Sequence, residues 1–206
     1  MTHAGLARAA AAAIGVVMAL YHMWIIATGS PEAMIFRGTH LIFAMVLTFL
    51  VFNSRRDEEG KGPALIDYIF AAASAVAILY LFVNYKYVIN RIYYIDDLEP
   101  SDMVMAVVLM VLIIEATRRL IGWALPITAM VFLGHALFIA QVEPMRLLDQ
   151  MYMTTEGIFG TTLGVSATYV IIFVLFGSFM ERTGTDRKST RLNSSHVSES
   201  RMPSSA

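Results

Sequence analysis

Cysteine is absent from this chain, and charged residues make up only 15% of it. Without cysteine there can be no disulfide framework, thiolate metal site or thiol nucleophile. Soluble domains are about 45–50% apolar and about 25% charged. Here 57% of the residues are hydrophobic and the mean hydropathy is +0.64. This apolar surplus predicts a protein that faces lipid.

The sequence also lacks the usual catalytic signatures. It contains no glycine-rich phosphate loop, HExxH zinc pattern or GxSxG elbow in a suitable context. The basic residues are spread over several loops, a pattern that disfavours nucleic-acid binding. We therefore expect neither an enzyme nor a resident cofactor.

Six apolar segments are candidates for membrane spans, since a spanning helix needs about 20 mainly apolar residues. They cover approximately residues 9–27, 34–52, 64–84, 103–116, 121–140 and 158–180. The predicted fold class is an all-α polytopic membrane protein with about six transmembrane helices. The boundary between the fourth and fifth segments is the least defined, because the link at 115–122 is short and contains two arginines.

Loop charge predicts the orientation, because short cytoplasmic loops are enriched in Lys and Arg. With a cytoplasmic N-terminus, the inner side holds Arg8, Arg55, Arg56, Lys61, Arg118, Arg119 and Arg182. The outer side then holds the smaller set Arg37, Lys86, Arg91 and Arg146. We therefore expect the N-terminus inside.

The last residues differ abruptly from the rest. Residues 186–206 read DRKSTRLNSSHVSESRMPSSA, a stretch rich in Ser and Arg. Nothing in it can form a buried core, which predicts a disordered tail. It looks like translated vector or adapter sequence, and we interpret it as non-native.

One charged cluster is a candidate site. Glu115, Arg118 and Arg119 have the spacing i, i+3 and i+4, which places them on one helical face. The cluster is interpreted either as a self-neutralised helix end at the inner interface or as a subunit contact. Asp67, near the basic loop at 55–61, is expected to pair with charges of that loop.

Small and hydroxyl-bearing residues precede the aliphatic half of the sixth segment. They include Gly157, Gly160, Gly164, Ser166 and Thr168. Such residues allow helices to approach closely and to hydrogen-bond with one another. They are also typical of the broken helices that line transporter sites. We expect close packing at these positions.

Three histidines leave an oxidoreductase alternative open. His22, His40 and His135 all fall toward the outer side in the predicted topology, and two histidines can hold a haem between helices. Polar packing between helices is the simpler interpretation.

Two stretches resemble a known family. EATRRLIGWALPI at 115–127 and TTEGIFGTTLGVSATYVIIFVLFGSFMERTG at 154–184 are similar to the fused permease subunit of tripartite ATP-independent periplasmic (TRAP) transporters, of the TAXI-associated type. The intervening LDQMYMTTEG at 148–157 fits as well. The resemblance extends over most of residues 60–184 and is less distinctive before them.

The resemblance implies a division of the chain. Residues 1–150 would form the small-subunit-like region and 151–185 the start of the large permease domain, so that the chain is an N-terminal fragment. The hairpins that bind substrate and the coupling ion would lie further downstream, and no ligand is assigned to a residue here.

The implied function is a permease component in the bacterial inner membrane. It would import organic anions such as carboxylates without ATP, driven by an ion gradient, commonly sodium. The partners would be an extracytoplasmic solute-binding protein, the remaining large permease domain and the lipid bilayer. The outer loops at 86–102 and 141–156 are the candidate contacts with the binding protein. The alternative is a standalone scaffold subunit, which would co-purify with a separate large polypeptide.

Overall fold

The computed structural model describes residues 3–52 and 62–183, and its regular structure in these ranges is helical. The helices are α1 (His3–Thr28), α2 (Ala33–Val51), α3 (Leu65–Val83), α4 (Tyr85–Asn90), α5 (Pro100–Ile121), α6 (Ala124–Ile139), α7 (144–153) and α8 (Thr161–Thr183). Helices α6, α7 and α8 each include a π-helical turn. The basic loop at 55–61 and the Ser/Arg-rich tail at 186–206 lie outside the described residues.

The expected all-α membrane architecture is confirmed. Within the described ranges, α1, α2, α3 and α8 are long and apolar enough to cross a membrane. Helix α6 is apolar but shorter, and at 1.5 Å per residue it is about 24 Å long, less than the ~30 Å hydrocarbon core. The exact number of spans, expected to be six, stays a prediction.

Helix α5 is longer than the apolar run at 103–116 that marked it. Pro100 starts it, and the Asp102 carboxylate accepts a hydrogen bond from the Glu99 amide at 3.0 Å, satisfying a free N–H at the helix start. Gly122 ends it with φ of +84°, a conformation that favours glycine. The charged residues Arg118 and Arg119 thus lie in its last turn.

The core lies where α2, α3 and α5 meet, with α7 packed against their outer end. Phe49, Ile78 and Leu109 are fully buried there. Tyr152 of α7 is also fully buried, and its hydroxyl donates to the Ala77 carbonyl of α3. By contrast, no residue of 171–183 in α8 is buried. The apolar face of α8 that points away from the other helices is therefore available to lipid or to further protein.

Candidate functional site

One cluster of charges, the Arg119 network, comprises Asp67, Glu115, Arg118 and Arg119, and two of these residues, Asp67 and Arg119, are buried. Arg119 Nη1 donates to Asp67 Oδ1 at 2.7 Å and to the Phe52 carbonyl at 3.1 Å. Its Nε donates to Glu115 Oε1 at 2.8 Å. The side chains of Arg119 and Asp67 are 2% and 0% exposed. One guanidinium therefore joins the end of α2, the start of α3 and the end of α5.

The structure extends the charge cluster predicted from helical spacing. Glu115 accepts from Arg118 at 2.7 and 2.8 Å as well as from Arg119, so it pairs with both arginines. The partner that the sequence did not reveal is Asp67, which was expected to pair with the basic loop. Its Oδ1 is occupied by Arg119, while its Oδ2 accepts from the Ala64 amide at 2.8 Å.

Aromatic rings enclose the Arg119 guanidinium. Its Cζ lies 4.9 Å from the ring centroid of Phe49 and 5.4 Å from that of Phe70. A cation is attracted to a ring face at such distances. Among the described residues, Nη2 of Arg119 has no hydrogen-bond acceptor. The charge is therefore held by carboxylates and rings in a site closed to water.

A second buried ion pair lies at the opposite end of α3 and α5. Arg91 Nη1 donates to Asp149 Oδ1 at 2.9 Å, and both side chains are 3% exposed. Arg91 Nη2 donates to the Asp96 carbonyl at 2.6 Å, and Asp149 also accepts from the Tyr94 amide at 2.9 Å. This Arg91 network (Arg91, Tyr94, Asp96 and Asp149) joins the α4–α5 loop to α7, and it was not predicted.

Asp102 is the third fully buried carboxylate. It accepts from the hydroxyls of Tyr80 at 2.7 Å and Tyr87 at 2.9 Å. Burial and the Asp102 carboxylate raise the pKa of Tyr87 to about 12, so its hydroxyl remains a donor at neutral pH. The sequence separation between Tyr87 and Asp102 is 15 residues, and no local pattern in the sequence indicates this contact.

The two outer loops come together around a cleft of about 100 Å³. Its lining includes Asp96, Asp97, Glu143, Arg146 and Asp149. Asp97, Glu143 and Arg146 are exposed, whereas Asp149 is held in the Arg91 network. The cleft therefore offers a mainly acidic surface built from both loops predicted to contact a partner.

The predicted small residues meet different neighbours. A Cβ at Gly157 would lie 2.5 Å from Met151 Cα, and one at Gly160 would lie 2.8 Å from the Gly157 carbonyl oxygen. At Gly164 a Cβ would lie 2.9 Å from Arg37 Nε, and that arginine donates to the Phe159 carbonyl at 2.8 Å. Gly157 thus contacts backbone, and Gly164 leaves room for the Arg37 guanidinium of α2.

The two hydroxyl-bearing candidates also differ. Thr168 donates to the Gly164 carbonyl of its own helix at 2.8 Å. Ser166 instead contacts α2, with its Oγ 3.2 Å from His40 Nε2. His40 Nδ1 is in turn 3.0 Å from His22 Nε2.

That histidine geometry does not fit the haem alternative. Ligating nitrogens on opposite sides of one metal are about 4 Å apart, since each metal–nitrogen bond is about 2.0 Å. His22 and His40 are hydrogen-bonded at 3.0 Å, which leaves no room for iron between them. His135 is exposed on α6. Within 3–52 and 62–183, no group of three or more His, Cys, Asp or Glu side chains is placed to hold a metal ion.

Substitution of Gly157 by alanine should destabilise the protein by about 2–3 kcal/mol, since the new methyl group would overlap the backbone of 150–151. Gly134→Ala in α6 is the matched control, because nothing lies within 4 Å of a Cβ there. A helical Gly→Ala change with free space should instead stabilise by up to about 1 kcal/mol. Unfolding of the purified variants in mixed micelles would measure both. Equal stability of the two variants would contradict the close approach at Gly157.

Comparison with known families gives one match. Residues 107–198 match the family described as the DctM component of the tripartite ATP-independent periplasmic transporter. The match begins within α5 and includes α6, α7 and α8. No curated protein and no solved structure matches the chain. The resemblance to a TRAP permease is thereby confirmed, whereas the TAXI-associated type stays a prediction. The matched family is one of transporters, not of enzymes.

Proposed function

We propose that this chain, whose residues 107–198 match the DctM component of TRAP transporters, takes part in importing organic anions such as carboxylates across the bacterial inner membrane. Import is secondary active transport, driven by an ion gradient, commonly sodium, and an extracytoplasmic solute-binding protein delivers the substrate. The observation that carries the proposal is the family match over residues 107–198. The same match favours a permease over the standalone scaffold subunit, because it is to the DctM component.

Within that transporter, the described residues would act as a scaffold and a docking surface. The Arg119 and Arg91 networks fasten opposite ends of the α3–α5 pair. Most of their charged groups pair with one another or with backbone, and the Asp67–Arg119 and Arg91–Asp149 pairs are closed to water. Such groups are poorly placed to bind a passing anion, but they fix the positions of the helices.

The docking surface would be the acidic cleft between the two outer loops. Exposed carboxylates there raise the local concentration of a partner with a complementary basic patch and speed its association. Asp97 and Glu143 line the cleft and are exposed. We therefore expect the binding protein to approach α4, α7 and the loop between α4 and α5.

The lack of cysteine makes a direct test simple. In native membranes, Asp97→Cys labelled with a photoactivatable maleimide should cross-link to a soluble solute-binding protein, identified by mass spectrometry. Glu181→Cys is the matched control, since it also replaces an exposed acidic residue but lies at the opposite end of α8 from the outer loops. A membrane-impermeant maleimide should label the first cysteine from outside and not the second.

Two further readouts of the same experiment address substrate and energy source. The captured protein, once purified, should bind carboxylates in a thermal-shift panel, and native vesicles should accumulate that ligand under an ion gradient without ATP. Cross-linking from Glu181→Cys alone, or uptake that requires ATP, would overturn the proposal.

A further inference from the structure

Two buried histidines and a half-buried serine form a line of polar side chains where α1, α2 and α8 meet. His22 Nδ1 lies 2.7 Å from the Met18 carbonyl oxygen, and His22 Nε2 lies 3.0 Å from His40 Nδ1. His40 Nε2 lies 3.2 Å from Ser166 Oγ. His22 is 1% exposed and His40 5%. Each helix therefore contributes one member to a single line of hydrogen bonds.

The chemistry of the partners fixes every hydrogen in this line. A carbonyl oxygen only accepts, so His22 Nδ1 must be the donor to Met18. In neutral His22 the other nitrogen, Nε2, is then an acceptor, and His40 Nδ1 must donate to it. Neutral His40 is left with Nε2 as an acceptor, which only the Ser166 hydroxyl can satisfy. Both neutral rings therefore carry their hydrogen on Nδ1.

The same line has room for one added proton but not for two. If Nε2 of His40 takes a proton from solution, Ser166 can rotate its hydroxyl and accept, and the other two hydrogen bonds are unchanged. A second proton would have to go to His22 Nε2, which would then face the N–H of His40. Two donors cannot bond, and two cations would lie about 3 Å apart in a medium of low dielectric constant.

Among the residues that the structure describes, none supplies a compensating negative charge to the two histidines. Tyr21 packs edge-on against His22 with ring centroids 5.2 Å apart, and the Phe36 ring lies 5.8 Å away. Other ionisable residues on the three helices and the α2 cap are His3, Arg8, Glu32, Arg37, Tyr169, Glu181 and Arg182. Among the described residues, no carboxylate hydrogen-bonds or pairs with either imidazole. Arg37 on α2 reaches α8 at Gly164 and adds positive charge nearby.

We propose that His22, His40 and Ser166 form a single-proton site whose occupancy reverses the hydrogen bond between α2 and α8. With the site empty, Ser166 donates to His40; with one proton bound, His40 donates to Ser166. The step is the addition of one proton to His40 Nε2, and no covalent bond other than that N–H bond forms or breaks. A second proton breaks the contact between α1 and α2. The proposal stands apart from the transport function and does not require it.

The test is a nitrogen-15 NMR titration of the full chain with labelled histidine. Replacing the other histidines (H3Q, H135Q and H196Q) leaves only the pair, and each change lies outside the proposed site. At pH about 8 both rings should show the hydrogen on Nδ1, since histidine is ordinarily neutral there. As the pH is lowered, the pair should bind no more than one proton in total, where two independent histidines would bind two by pH about 5.

Ser166→Ala provides the second variant. Without an acceptor for the added N–H, the midpoint of the first protonation should fall by at least 1 pH unit, a tenfold weaker proton affinity. Ser178→Ala is the matched control, because Ser178 is exposed in the same helix. Binding of two protons at ordinary histidine midpoints, or a ring with its hydrogen on Nε2 in the neutral state, would overturn the proposal. So would equal midpoints in the two serine variants.

Discussion

Replacing Arg119 by methionine should lower the free energy of unfolding by about 3–5 kcal/mol, because it leaves Asp67 as a buried charge without its partner. The Asp67 side chain has no exposed surface, and among the described residues only the Ala64 amide would still donate to it. Methionine keeps most of the apolar volume between Phe49 and Phe70, so the loss reports chiefly on the charge. Unfolding of purified protein in mixed micelles measures it.

Two controls separate charge from packing. Arg118→Met removes the neighbouring arginine, but the pair it forms with Glu115 is partly exposed, at 30% and 22% of the side chains. Exposed pairs contribute about 0–1 kcal/mol, and we expect a loss in that range. Combining Arg119→Met with Asp67→Asn removes both buried charges and should recover part of the stability. A loss for Arg118→Met as large as that for Arg119→Met would contradict the assignment.

Much of this network was predictable from helical spacing. The i, i+3 and i+4 pattern places Glu115, Arg118 and Arg119 on one face whatever the rest of the fold does. The identity of the helix packed against that face is a long-range property, and Asp67 lies 52 residues away from Arg119. No local pattern in the sequence encodes that contact.

The short helices α4 and α7 were not predicted, because neither contains an apolar run long enough to indicate a span. Helix α4 is 6 residues long, and it is stabilised by contacts rather than by length. Residues of α7, such as Tyr152, are buried only because α2, α3 and α5 surround them. The positions of α4 and α7 follow from tertiary packing, and the hydrophobic periodicity of the sequence does not reveal such packing. The hydrogen-bonded line of His22, His40 and Ser166 was not predicted for the same reason, since it forms only where three helices pack together.

Arg91→Met should lower the free energy of unfolding by about 3–5 kcal/mol, for it leaves Asp149 buried without a counter-charge. The Arg91–Asp149 pair was not predicted from the sequence. Arg91 lies in an outer loop that was expected to contact the binding protein, where it would serve as a docking residue. Lys86→Met is the matched control, since Lys86 is exposed in the same region and should change stability by less than about 0.5 kcal/mol. Unfolding in mixed micelles measures both variants.

The two roles for Arg91 give opposite patterns when stability and partner capture are measured together. If Arg91 is structural, Arg91→Met loses stability, and adding Asp149→Asn restores part of it because both charges of the pair are then gone. Capture of the binding protein through Asp97→Cys would then decrease only in proportion to the loss of folded protein. If Arg91 is a docking residue, Arg91→Met keeps its stability and still loses capture. A buried pair with side chains 3% exposed on each side requires the first pattern.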